Sequence, residues 1–300
     1  MAAGTAVNPA SSWSVALRLG RVSNLPTVWS NVLAGVTLAG GSAADARLPL
    51  LLLSLSLSYV GGMYLNDWFD REIDSKQRPE RPIPSGQVAA RTVFTAGLAM
   101  LVASVLLLIW IGYGFAAGTG WPAAAAGVAL AAAIVFYNWR HKGNPLSPVV
   151  MGLCRLLVYV VAAYAVAQSP PVAVWWAAVL LLCYLIGLTY VAKQETLGVV
   201  RNLWPLGFLA LPLAYAALAA GNGLASALLF VALTGWVVYA LHFLWRRRPG
   251  DVPRAVVSLI AGISLLDAVF IAAFGNAPLA GFAVAAFVLT LALQRVVAGT

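Results

Sequence analysis

Between Asn66 and Gly86 the chain reads NDWFDREIDSKQRPERPIPSG, and five of its nine acidic residues fall there: Asp67, Asp70, Glu72, Asp74 and Glu80. Arg71, Lys76, Arg78 and Arg81 are interleaved with them. Read as a helix turning about 100° per residue, Asn66 at 0° puts Asp67 at ~100°, Asp70 at ~40° and Asp74 at ~80°, with Glu72 on the far side at ~240°. Three carboxylates within one arc repel one another unless a cation lies between them. Hard oxygen donors at this spacing suit Mg²⁺, which is held by a few carboxylates together with substrate phosphates. The Arg and Lys residues that follow suit diphosphate oxygens. The competing reading is a solvated charged loop laced by i,i+3 and i,i+4 ion pairs. The gathering of acids at the end of an apolar run favours the site.

The elements that must carry this segment are set by composition. The chain is 62% hydrophobic and 9% charged, whereas soluble proteins are roughly 25% charged. It is therefore expected to be an all-α polytopic membrane protein, because a bilayer core leaves the backbone no partner but itself. Ten apolar runs lie at about 24–43, 48–66, 92–115, 121–138, 147–167, 172–192, 203–219, 224–244, 254–274 and 277–297. Each is close to the ~20 residues that cross a bilayer as a helix. The sequence thus predicts nine to ten transmembrane helices, with residues 1–20 a short flexible N-terminus and 21–300 a single transmembrane domain. Sixteen of the eighteen Lys and Arg residues fall in alternate connections or at the chain ends, leaving Arg47 opposite and Arg155 within a run. The positive-inside rule then puts both termini and the charged loops in the cytoplasm, in the inner membrane of a cell. The net charge of +9 is read through this topology and implies no nucleic-acid partner. The small polar start MAAGTAVNPASS predicts no removable signal peptide. Cys154 and Cys183 sit in apolar runs and are expected to be buried thiols.

A few polar residues interrupt the runs. Arg155 lies about eight residues into the fifth, ~12 Å along a helix, where a guanidinium faces a cavity or a partner. It either contacts a substrate anion or forms a structural pair, with Asp267 the candidate. Asp267 itself is expected to be structural. Asn24 and Asn31 either line a cavity or bond between helices. His242 is expected at an interface, and Trp245-Arg246-Arg247-Arg248 as an anchor at anionic lipid.

Asn66-Asp67-x-x-Asp70-x-x-x-Asp74 followed by Arg81-Pro82-Ile83-Pro84-Ser85-Gly86 resembles the first signature of the UbiA superfamily of intramembrane prenyltransferases. Arg21-Val22-Ser23-Asn24-Leu25-Pro26 resembles that family's approach to its first helix, and Tyr137-Asn138-Trp139-Arg140-His141-Lys142 sits where the family has a Tyr and a basic pair. The resemblance implies a helical bundle around a central cavity, usually of nine spans. A prenyl diphosphate would bind there through Mg²⁺, and a lipophilic or aromatic acceptor would be alkylated as diphosphate leaves. It assigns Asp67, Asp70 and Asp74 to metal binding and catalysis, and Asn66, Arg78, Arg81 and Lys142 to substrate; Asn24 and Arg155, on the functional reading of their positions, join the substrate-binding set. The second family signature is reduced here to Thr189-Tyr190-Val191-Ala192-Lys193-Gln194-Glu195-Thr196, similar to the divergent EboC-like branch. Glu195 is then the remaining metal ligand, and Lys193 replaces the second cation at the diphosphate. That reduction also motivates an alternative, a non-catalytic prenyl-lipid binding or transport protein on the same fold. A CDP-alcohol phosphotransferase is set aside, because no Asp-Gly-x-x-Ala-Arg stretch is present.

Overall fold

A computed structural model describes residues 12–193, 204–246 and 248–297. Among them every regular element is helical. In chain order, α1 (Ser12–Leu19) leads through a 3₁₀ turn at Val22–Asn24 into α2 (Pro26–Leu38), followed by α3 (Leu48–Gln77), α4 (Ala90–Tyr113), α5 (Pro122–Arg140), α6 (Ser147–Val166) and α7 (Val172–Lys193). A 3₁₀ segment at Trp204–Leu209 then opens α8 (Ala210–Ala219), and α9 (Leu224–Arg246), α10 (Asp251–Ala273) and α11 (Ala277–Gln294) complete the bundle. Proline in the first turn starts α2, α3, α5, α6 and α11, where its missing N–H costs nothing and its fixed φ favours the helix.

Eight of these helices are long and apolar enough to span a bilayer, and the chain is a membrane protein. The first and seventh apolar runs fold as shorter pieces, α2 of 13 residues and the stretch around α8. Contacts between loops show that the chain still alternates between two ends of the bundle. At one end Arg47 Nη1 donates to the Ala117 carbonyl, and Asn222 donates to the Ala273 carbonyl. At the other, Arg18 bonds Gln87, Asp70 meets His141 and Lys142, and Gln294 donates to Asn24. Both ends of the described chain therefore lie at the end that carries the Asp-rich segment.

Within the N-terminal stretch of residues 1–20, Ser12–Leu19 form α1. Its Val15 and Leu19, four residues apart on one face, are buried against Tyr64, Trp68 and Val93. Outward faces of α4 and α9 expose Leu98, Val102, Leu106, Val231 and Val238, as lipid contact requires. Helix α10 is instead buried on nearly every face from Ala255 to Ala272 and forms the centre. Close helix approach depends on small residues. A Cβ at Gly61 would lie 2.8 Å from the Gly97 carbonyl oxygen, so bare backbone there lets α3 and α4 touch.

Candidate active site

Helix α3 runs for 30 residues and carries the acidic segment beyond its apolar portion as one continuous helix. As the angular reading predicts, Asn66, Asp67, Asp70 and Asp74 are all buried. Glu72, on the other face, has its side chain 83% exposed. Pro79 then stops the helix by holding Arg78 out of the helical region, at φ −142° and ψ 62°. The following residues fold back through bonds from Ser85 N to Arg81 O and from Gln87 N to Pro82 O, with Gly86 supplying φ 74°. Ile83 packs against the α1–α3 cluster, and the turn so anchored returns Arg81 to α3.

Each carboxylate meets a cation from a different element. Arg81 Nη1 lies 2.9 Å from Asp74 Oδ2 and 3.5 Å from Asp67 Oδ1. Arg21 Nη2 donates to Asp67 Oδ1 at 3.0 Å and to Asn66 Oδ1 at 3.1 Å. Asp70 faces His141 Nε2 at 3.4 Å and Lys142 Nζ at 3.3 Å. Arg21 has φ 42° and ψ 46°, a left-handed backbone that is uncommon for a residue with a Cβ. Its carbonyl accepts from Tyr59 and its guanidinium is spent on α3, so the site holds the strained residue from both sides. The end of α5 is fixed by an amide pair: Asn66 Nδ2 donates to Asn138 Oδ1 at 3.1 Å, and Asn138 Nδ2 to the Gly62 carbonyl at 2.9 Å. The Tyr137 ring stacks on His141 one turn later.

Of these groups Arg21, Tyr59, Asn66, Asp70, Arg81, Tyr137, His141 and Lys142 line a cavity of about 270 Å³, while Asp67 and Asp74 are covered by their arginines. Asn24, Asn66, Asp70, Arg78, Arg81 and Lys142 are at its polar wall, and Leu185, Leu188 and Ile260 at its apolar one. A smaller, largely apolar chamber of about 90 Å³ adjoins it, and Tyr59, Met63, Tyr137, Met151 and Arg155 border both. Such an arrangement suits a substrate with an anionic head and an apolar body.

The remaining expected residues fall into three groups. Arg155 reaches the cavity but also donates to Asn31 Oδ1 at 2.8 Å and Thr27 Oγ1 at 3.0 Å. Lys193 stands against the start of α6, donating to the Asn144 carbonyl and Ser147 Oγ. There it lines a neighbouring cavity of about 300 Å³ with Arg78, His141 and Lys142. Glu195 lies outside the described residues. Among the described residues no three His, Cys, Asp or Glu side chains converge as a metal cage. Asp267 is wholly buried and bonds Ser30, Asn31 and Tyr159, so its link to Arg155 runs through Asn31 and not by direct pairing. His242 packs beside Phe243, and Cys154 and Cys183 are free thiols.

Sequence reasoning did not give roles to Arg21, His141, Tyr59 or Thr189. Arg21 and His141 stood inside the motif stretches but reach the carboxylates only through the fold. Thr189 lines the cavity, and its buried hydroxyl has no hydrogen-bond partner among the described residues.

The model of the UbiA prenyltransferase family matches residues 28–260. Digeranylgeranylglyceryl phosphate synthase of Methanopyrus kandleri is 30% identical over 258 residues, covering 82% of this chain and 87% of that protein. Chloroplastic chlorophyll synthase of Oryza sativa subsp. japonica is 34% identical over 113 residues, 34% of this chain and 30% of its own. The apo structure of a UbiA homolog from Aeropyrum pernix K1 superposes with a TM-score of 0.64 at 16% identity, covering 82% of this chain and 97% of that one. With its Asp-rich helix end facing a half-polar cavity inside a membrane bundle, the chain belongs to the UbiA prenyltransferase family and is a membrane-embedded prenyltransferase.

Proposed function

We propose that the protein transfers an isoprenoid chain from a prenyl diphosphate to a lipophilic acceptor at the cavity bordered by Asn66, Asp70, Arg78, Arg81 and Lys142. The observation that carries this is the burial of Asp67, Asp70 and Asp74 on one face of α3, each against a cation, where a polar cavity meets an apolar chamber. Mg²⁺ fits this donor set, since one or two carboxylates and phosphate oxygens suffice to hold it. Asp70, supported by Asp67 and Asp74, would hold the ion, with Glu195 a further ligand. When bound, it neutralises charge on the diphosphate oxygens.

The chain's own groups do the rest. Negative charge grows on the bridging oxygen as the allylic C–O bond breaks, and Arg21, Arg78, Arg81 and Lys142 surround the place where it develops, with His141 beside them to donate a hydrogen bond. Lys193, in the adjoining cavity, faces the departing diphosphate from the far side. Cations fixed in advance cost no reorganisation at that moment and lower the barrier. Tyr59, Tyr137, Met63 and Met151 keep water from the allylic cation until the acceptor attacks, and the acceptor's proton leaves with the diphosphate or a nearby base. The positive-inside charge distribution supports a cytoplasmic site, both termini cytoplasmic, in the inner membrane, and residues 21–300 acting as one unit. The named relatives are synthases, which favours turnover over passive lipid binding.

The test is release of diphosphate and formation of a prenylated product by the purified protein from geranylgeranyl diphosphate with a panel of lipophilic acceptors. Asp70→Asn and Asp74→Asn are each expected to lower the rate by ~100-fold or more, and chelation with EDTA to abolish it, with Mg²⁺ restoring it. Full Mg²⁺-dependent turnover in Asp70→Asn would exclude the site.

A further inference from the structure

Asp267 is the most deeply buried carboxylate among the described residues, 0% exposed at the centre of α10, and the transfer chemistry above does not use it. Burying a carboxylate within a membrane bundle is expensive and marks a site with a purpose. It accepts four hydrogen bonds from three groups: Ser30 Oγ at 2.5 Å, Asn31 Nδ2 at 3.0 and 2.8 Å on its two oxygens, and the Tyr159 hydroxyl.

The chemistry of these groups fixes a direction. A carboxylate only accepts, so Asn31 must turn its NH₂ group toward Asp267. Its Oδ1 is then left to face α6, where it accepts from Arg155 Nη1 at 2.8 Å. Thr27 completes the cradle. Its hydroxyl proton goes to the Asn24 carbonyl at 2.7 Å, leaving the oxygen to accept from Arg155 Nη2 at 3.0 Å. Arg155 is thereby held by two neutral oxygens, with the Tyr59 ring 5.6 Å from its guanidinium carbon. No carboxylate lies within ion-pairing distance of it among the described residues. It also stands apart from the cations on the acidic segment. Arg155 borders both the polar cavity and the apolar chamber, whereas Arg78, Arg81, His141 and Lys142 border only the former.

We infer that Asp267 is a positioning residue, acting through Asn31 to hold Arg155 at the seam of the two cavities, and that Arg155 there binds an anionic oxygen of the acceptor, a phosphate or a carboxylate. The inference rests on the prenyl-transfer reading and names the acceptor's class: an apolar body carrying one anionic group, distinct from the donor diphosphate. Two of the guanidinium's N–H groups are used for its own positioning, and the rest of the planar fork remains for a bidentate oxyanion.

The test uses the full-length protein in detergent and measures binding of decyl phosphate, decanoate and decanol, and separately of geranylgeranyl diphosphate with Mg²⁺. Wild type is expected to prefer one of the two anionic probes over decanol by roughly tenfold or more, and which one it prefers identifies the anion. Arg155→Gln should abolish that preference and leave diphosphate binding within about twofold; Asp267→Asn should weaken the preference roughly tenfold by releasing the Asn31 amide. The exchange Asn31→Asp with Asp267→Asn distinguishes positioning from mere packing. It keeps one acid and one amide in the core and should recover wild-type thermal stability. It should not recover the anion preference, because a carboxylate now neutralises Arg155 directly. Should Asp267→Asn fail to fold, Thr27→Val removes one of the two oxygens holding Arg155 and should lower the preference severalfold. Equal wild-type binding of decanol and both anions, retention of the preference in Arg155→Gln, or its recovery in the exchanged pair would overturn the inference. Absence of prenyl transfer in wild type would sink the catalytic reading without moving this binding difference.

Discussion

Arg81 holds two carboxylates at once, and its removal leaves Asp74 without its cation and Asp67 with only Arg21. Breaking a buried pair costs far more than the pair contributes over an apolar substitute, because an uncompensated charge stays behind. Arg81→Gln is therefore expected to destabilise the protein by about 2–4 kcal/mol in thermal unfolding and to raise the KM for prenyl diphosphate. Glu72→Ala removes an acid from the same helix, but one that is exposed and paired only with its neighbour Arg71. It should change stability by less than about 0.5 kcal/mol and leave diphosphate release unchanged. Equal losses in the two variants would mean that total charge, and not the buried face, sets the site. That face was legible in the sequence, since helical period alone separates Asp67, Asp70 and Asp74 from Glu72. The partners were not. Arg21 is 46 residues from Asp67 in the chain, and only the fold, with Tyr59 of α3 bonding the Arg21 carbonyl, brings it there. The Asn31–Asp267 link, across 236 residues, was beyond reach for the same reason.

At the scale of elements, the ten apolar runs mark where helices form, and eight of them are full spans. The run at 24–43 contains Gly40 at φ 81°, and α2 stops at Leu38. The seventh run holds Pro205, Gly207 and Pro212, and it folds as 3₁₀ and α pieces around α8. Hydropathy counts apolar residues and is blind to such breaks. The shortness of α2 matters because it carries Asn24's neighbour Thr27, then Ser30 and Asn31, into the centre, packed on α6, α10 and α11. Its seat on α6 depends on Gly35, where a Cβ would lie 2.8 Å from Ala162 Cβ and 2.9 Å from the Tyr159 carbonyl oxygen. Backbone cannot yield as a flexible side chain does. Gly35→Leu is expected to cost about 1–3 kcal/mol or more of stability, as overpacking does, and to reduce turnover with it, because α2 and Tyr159 would part. A Gly35→Leu protein with wild-type melting temperature and activity would show that α2 does not set the site.

For the molecule as a whole, the alternation of helices sorts its charge as well as its loops. Arg47 at the opposite end is buried and spent on Asp45 and the Ala117 carbonyl, so that face offers little free positive charge. The other end carries the α3–α4 turn, the start of α6 and the α9–α10 connection, where Arg246 is bound to Asp251 at 2.5 Å. Lys and Arg resist translocation and are drawn to the anionic cytoplasmic leaflet, so this end should face the cytoplasm. Such an orientation gives the site direct access to a soluble-headed diphosphate while the chain of the substrate stays in lipid. Single cysteines test it in a background lacking Cys154 and Cys183, which are only partly exposed and buried, respectively. With Glu72→Cys on the exposed face of the Asp-bearing helix, a membrane-impermeant maleimide should label inverted vesicles and spare intact cells. Ser42→Cys, in the exposed connection before α3, should show the reverse, since the apolar part of the same helix, from Leu48 onward, lies between the two positions. Labelling of both from one side would break the alternation. Labelling of each from the side opposite to that expected would keep the alternation and invert the protein, moving prenyl transfer to the outer face.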